Sequence, residues 1–302
     1  MTRTQVNEPP PGVNDDDGVR PLLILGIGRS GTTLLMQLLG TAPRILFDRV
    51  YPFEVRYLAY LQQWSLVLSS APAANTQSSP GSFVAPPPAI VGPLPYPGAQ
   101  MWDGQAMRRA AIVAGWKAFA KAATARAGVS GESPLYYAEK SPFWMPAACR
   151  ETMRYRSVVL VRDPRDVFVS VRAFDAKRGV AGFGFSGREG EREEDHALRF
   201  ADACRIRLRI SREELGTPHS ILVRYEDLVA DLAKEARRLG MWLGVALDAE
   251  RVVSHILDFD HHTTSASAAA SVGRWHRELG TGVAQMLTDE LRDELQCFGY
   301  AT

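Results

Sequence analysis

Residues 21–40 read PLLILGIGRSGTTLLMQLLG. An unbroken apolar run that stops at Gly26 has the length and composition of a strand buried on both faces, the habit of parallel sheets. The TTLLMQLL that follows suits a helix ending at Gly40. Between them GIGRSGTT must turn the chain from strand to helix within a few residues, and its glycines permit conformations and close approaches that a Cβ forbids. Such a turn leaves the first amides of the helix pointing outward at the positive end of its dipole. The hydroxyls of Ser30, Thr32 and Thr33 stand beside them. This is a place for an anion.

The passage from an apolar run into polar residues recurs in SVVLVRDPRD (157–166) and SILVRYEDL (220–228), and a shorter strand is expected in YYAEKSP (136–142), ending before Pro142. Helical composition covers 53–68, 107–128 and the VFVSVRAF after RDPRD. The third strand is followed by an amphipathic helix with Leu228, Leu232, Leu239 and Leu243 on its apolar face and Gly240 or Gly244 near its end. Alternation of this kind predicts a central parallel sheet between two helical layers, a three-layer α/β/α fold. Ligands of such sheets bind beyond the carboxyl ends of the strands. The polar clusters at three strand ends therefore belong to one site.

Of the 302 residues 46% are hydrophobic, enough for one large core, so residues 21–302 are read as a single domain. Residues 1–20 have no apolar stretch of the kind a secretory signal needs, and their Pro, Asp and Asn content predicts a disordered leader. The Pro- and Ser-rich 70–100 and the glycine-rich 179–195 are expected to be variable loops or lids. Lys+Arg (35) and Asp+Glu (34) nearly cancel, which argues against the dominant basic face of a nucleic-acid binder. No apolar run approaches the ~20 residues of a membrane span. Three distant cysteines, Cys149, Cys204 and Cys297, have neither metal-ligand spacing nor an even count, and point to a reducing, cytoplasmic setting.

Gly26 and Gly31 have the spacing of the phosphate-binding P-loop of nucleotide hydrolases, but Thr32 stands where those loops carry lysine. The only cation inside the loop is Arg29. That arrangement suits one terminal phosphate group better than a magnesium triphosphate. Asp163, at the end of VVLVRD, imitates a magnesium-binding acid but lacks the lysine it would work with.

LGIGRSGTTLL closely resembles the 5′-phosphosulfate loop of sulfotransferases that use 3′-phosphoadenosine-5′-phosphosulfate (PAPS), in their bacterial and Golgi-type rather than animal cytosolic form. The resemblance implies the P-loop nucleotide-hydrolase-like fold, with Gly28, Arg29, Ser30, Gly31, Thr32 and Thr33 around the 5′ end of the donor. It implies in-line transfer of a sulfuryl group to a hydroxyl or amine, with no metal required. The family's second signature, an arginine at a strand end and a serine eight residues on, holds the 3′-phosphate; Arg162 and Ser170 match it. AEKSP (138–142) resembles a family segment whose lysine lies near the transferring group, a role that falls to Lys140. By the same resemblance the general base is a glutamate some 20–28 residues beyond the basic residue of the loop; Glu54 lies at 25, with Asp48 as a nearby competitor. SVGRWHREL (271–279) is similar to the segment that folds over the nucleotide, offering the Gly273 amide and Arg274, with Trp275 either an adenine neighbour or core. Tyr225 matches a family tyrosine near the nucleotide. None of the six histidines sits in a matching motif, and His261–His262 read as loop residues. A P-loop kinase or NTPase, and a non-catalytic nucleotide-binding protein of the same fold, are the competing readings. The acceptor stays open among small molecule, lipid, glycan and peptide, and the oligomeric state is likewise open.

Overall fold

A computed structural model describes residues 18–69, 101, 103–128, 132–179, 185–253 and 264–302. In chain order the elements are β1 (Arg20–Gly26), α1 (Thr32–Leu39), β2 (Ile45–Leu46), α2 (Tyr57–Ser69), α3 (Gly104–Ala127), β3 (Tyr136–Lys140), α4 (Met145–Arg150), β4 (Arg156–Val161) and α5 (Pro164–Arg178). There follow α6 (Glu193–Leu215), β5 (Ser220–Arg224), α7 (Tyr225–Ala230), α8 (Leu232–Leu243), α9 (Ala249–Val253), α10 (Trp275–Glu278), α11 (Thr281–Glu290) and α12 (Arg292–Cys297). The strands form one sheet in the order β2-β3-β1-β4-β5, with every pairing parallel.

Strand parity distributes the core. Leu22 and Ile24 of β1, Ala138 of β3 and Val158 and Leu160 of β4 face one side, packing on Leu35, Leu38 and Leu39 of α1 and Leu239 and Leu243 of α8. Leu23, Leu25, Tyr137, Val159 and Val161 face the other, against α2–α4 near one edge and against α5, α6 and α11 near the other. These are the two helical layers expected of a sheet whose strands are apolar on both faces. The register then sets the site: Ile24 lies opposite Lys140, and Gly26 opposite Leu160. The carboxyl ends of β1, β3 and β4 thus form one rim, from which the GIGRSGTT loop, Lys140 and Arg162 all project.

Several expected boundaries move. The helix expected over 53–68 starts at Tyr57, so Glu54 lies in the turn that precedes it. The strand expected over 220–228 ends at Arg224, and Tyr225 opens α7. The amphipathic helix after it is broken at Asp231, whose carboxylate accepts the Lys234 amide and caps α8, as an aspartate at a helix start favours. Gly240 lies inside α8; Gly244, with φ 72°, ends it. Helix α6 begins at Glu193, inside the loop expected to run to 195, with Glu193, Glu194 and Asp195 in its first turn, where the dipole favours acidic side chains. The two-residue β2 has no signature in its composition. Most of the expected leader (1–17), the whole of the 70–100 segment, residues 180–184 and His261–His262 lie outside the described residues. Among the described residues no helix is long and apolar enough to cross a membrane.

Candidate active site

Helix α1 starts at Thr32 with no side chain capping it and no acidic residue in its first turn, so its leading amides face the loop without a resident anion partner. Gly31 has φ 91°, and a Cβ there would lie 2.3 Å from the Tyr225 ring. Both facts require glycine. Gly31→Ala is expected to lower stability by roughly 2 kcal/mol or more, the sum of left-handed strain and the displacement of Tyr225; a denaturant midpoint equal to that of the parent would contradict it.

Arg29 also has a left-handed backbone, φ 72°, which costs a non-glycine residue on the order of 1 kcal/mol. Its surroundings hold it there. Arg162 Nη1 donates to the Arg29 carbonyl at 2.9 Å, and Arg29 Nε donates to Ser170 Oγ at 3.2 Å. The Arg29 guanidinium lies over the Phe174 ring, 4.5 Å from its centroid. Ser170 and Phe174 are one turn apart on α5 and present one face to the arginine. The loop arginine and the arginine–serine pair, 133 and 141 residues away in sequence, are therefore bonded to one another. Burial and the adjacent charge of Arg162 push the Arg29 guanidinium down to about 10. The pocket already carries excess positive charge, which an anion would relieve.

Arg162 Nη2 donates to the Ser271 carbonyl, and its guanidinium stacks 4.6 Å from the Tyr225 ring centroid. Its Nε is buried with no hydrogen-bond partner among the described residues. A buried donor left in this way is costly and marks a direction from which an acceptor can be received. Tyr225 in turn bonds Ser271 Oγ through its hydroxyl at 2.8 Å. The 271–275 segment is held from inside by Asp166, which accepts the Gly273 amide at 2.6 Å and the Trp275 amide at 2.9 Å. Burial raises the Asp166 carboxyl above its ordinary value. The Gly273 amide is thus given to a side chain. Arg274 is paired bidentately with Glu278 and donates to Thr264 Oγ1, itself 3.2 Å from Ser170 Oγ. Both faces of Trp275 are occupied, by Arg165 at 3.9 Å and His276 at 3.6 Å, and the ring packs on the core. Asp163 is bound to Arg165 at 2.7 Å. Among the described residues no group of three or more His, Cys, Asp or Glu side chains is placed to hold a metal ion.

At the third corner, Lys140 Nζ donates to Thr33 Oγ1 at 3.0 Å and to the Pro52 carbonyl at 2.6 Å, and lies 3.7 Å from Glu54 Oε1. It joins the first turn of α1 to the turn that carries Glu54. Burial pushes its amine down to about 8, with Glu54 acting in the opposite direction. Glu54 is half-exposed and is also approached by Arg56 at 3.8 Å. Asp48 is exposed and accepts the Val50 amide within its own turn. Gly28 precedes Arg29 in the loop, Ser30 follows it and is buried, and Thr32 is the first residue of α1.

Sequence reasoning missed Asp166, Ser271 and Phe174. Asp166 reads as an ordinary first-turn acid, and its partners are main-chain amides that leave no mark on composition. Phe174 had a usable signal, one turn beyond Ser170.

A family model described as the sulfotransferase family matches residues 21–249. Among solved structures, the sulfotransferase domain of the Synechococcus PCC 7002 olefin synthase is similar at TM-score 0.54 and 19% identity, covering 96% of this chain and 98% of that one. The sulfotransferase domain from the curacin biosynthetic pathway gives 0.49 and 16%, covering 94% and 98%. Sulfotransferase STF9 from Mycobacterium avium gives 0.47 and 15%, covering 95% and 79%. At 19% identity the likeness to the olefin synthase domain is one of fold. No curated protein matches the sequence at a significant level.

Proposed function

The chain belongs to the sulfotransferase family, and on that premise we propose that it transfers the sulfuryl group of PAPS to a hydroxyl or amine acceptor, releasing 3′-phosphoadenosine-5′-phosphate (PAP). The observation that carries the reading is the position of Lys140, whose ammonium reaches both the first turn of α1 and the Glu54 carboxylate. A group that stabilises a leaving phosphate oxygen and a group that takes the acceptor proton are thereby held side by side.

In this reading the amides at the start of α1, with Gly28, Ser30, Gly31, Thr32 and Thr33, cradle the 5′-phosphate, and Arg29 lies against the sulfuryl end. Arg162, through its orphan Nε, and Ser170 take the 3′-phosphate, with Tyr225, Gly273 and Arg274 around it. As the acceptor oxygen closes on sulfur, its proton passes to Glu54. The bond from sulfur to the 5′-phosphate oxygen breaks, and the charge left there is met by Lys140, Arg29 and the helix amides. The protein's task is positioning and charge stabilisation, as in phosphoryl transfer. We assign these roles to one domain over 21–302 acting in the cytoplasm on a small molecule, lipid or glycan, with no part played by nucleic acid.

A thermal shift tests the donor. PAP at ~100 times its dissociation constant should stabilise the fold by ~2.7 kcal/mol, roughly a 5 °C rise in midpoint. Magnesium-ATP at the same concentration should shift it far less. Selective stabilisation by magnesium-ATP would sink the reading and restore the NTPase alternative.

A further inference from the structure

Neighbouring residues on a strand point to opposite faces of the sheet, and β3 ends in two charged ones, Glu139 and Lys140. On one face Lys140 holds the Pro52 carbonyl at 2.6 Å and approaches Glu54. On the other, the Glu139 carboxylate accepts the amides of Leu58 at 3.0 Å and Ala59 at 3.3 Å, in the opening turn of α2. Glu139 is 2% exposed. First-turn amides have no partner inside their own helix, so this carboxylate supplies both a cap and a negative charge at the positive end of the dipole. The segment 52–59 is thus gripped at its start from one side of the sheet and at its end from the other, with Glu54 between the grips.

We propose that Glu139 is a positioning residue for sulfuryl transfer: its carboxylate, by fixing the start of α2, sets where the Glu54 turn meets Lys140. The inference rests on the role given to Glu54 above. Glu139 touches neither donor nor acceptor, so its loss should move the base and leave the donor site in place. It also ties the turn to pH. The titratable and charged groups around the carboxylate are Tyr137 on its own strand, Cys149 of α4 and Arg56 of the turn. Tyr137 is pushed up to about 12 and the Cys149 thiol well above its usual range, both by burial. Between pH 6 and 8 the group among these that changes charge is Glu139, which burial pushes up to about 7. Opening the turn would hydrate the carboxylate and return it toward its ordinary value, so the closed grip on α2 holds the proton more tightly, strengthens as the pH falls through 7 and loosens as it rises.

Hydrogen exchange on the full chain reads this directly. In the parent, the peptide spanning residues 53–61, corrected for intrinsic rates, should exchange about tenfold faster at pH 8 than at pH 6, while peptides from β1 and α1 keep one protection factor. In Glu139→Gln, which turns a donor toward an amide donor, that peptide should be fast at both values. PAP affinity should stay within about threefold of the parent. With p-nitrophenol as acceptor, kcat should fall at least tenfold while the KM for PAPS holds. The pH arm on the parent needs no variant to fold. A flat exchange profile in the parent, or a variant that loses PAP affinity in step with turnover, overturns the proposal. A parent that fails to bind PAP overturns the donor reading instead, and leaves the exchange profile to judge the grip on α2.

Discussion

Glu54→Gln is expected to slow sulfuryl transfer by ~10²–10⁴-fold, the usual worth of a positioned general base, while PAP binds as it does to the parent. The substitution preserves size and removes only the capacity to accept the acceptor proton. Glu54 is half-exposed and stands in a turn, so little of the core depends on it. Its neighbour Lys140 keeps its bonds to Thr33 and Pro52 in the variant. The assay is single-turnover release of PAP from PAPS with a saturating acceptor. Unchanged turnover would remove Glu54 from the mechanism and move attention to Asp48.

The second large effect is at Lys140. Lys140→Met keeps the apolar stem in place and deletes the charge that would meet the leaving oxygen. Removing one such group from a transition state typically lowers kcat by ~10²–10³. The same residue fixes the alkaline side of the pH profile. Burial disfavours its charged form and brings the amine down to about 8. The active form is the protonated one, so kcat should decline as the pH rises through 8 rather than near the ordinary lysine value. A rate that stays flat to pH 10 would take the charge of Lys140 out of the chemistry.

The common rim was legible because strand ends in a parallel sheet converge, so the polar clusters that follow β1, β4 and β5 fall together. The loop and the polar ends of β3 and β4 were readable as places where apolar runs break into polar residues, whereas Ser170 and the role expected of Lys140 rested on the family resemblance. The exact setting of Glu54 was not legible. A helix covering 53–68 fits the composition, and the start at Tyr57 is decided by Glu139, some eighty residues away. The role of the 271–275 segment was obscured for a related reason: its anchoring by Asp166 and Arg162 runs through main-chain amides and a carbonyl, which nearly any residue can supply, proline lacking only the amide.

Three buried charged side chains, Arg162, Asp166 and Glu139, frame the site, and in each case the partner is a carbonyl or an amide of the backbone. Apart from proline where an amide is needed, and from the left-handed positions Arg29 and Gly273, substitution on the framed segments keeps the bonding main-chain groups in place. Side chains such as Val55 and Tyr60 are exposed beside the Glu54 turn and carry none of those bonds. Selection can therefore rewrite the rim that meets an acceptor one residue at a time, with the transfer chemistry insulated beneath it.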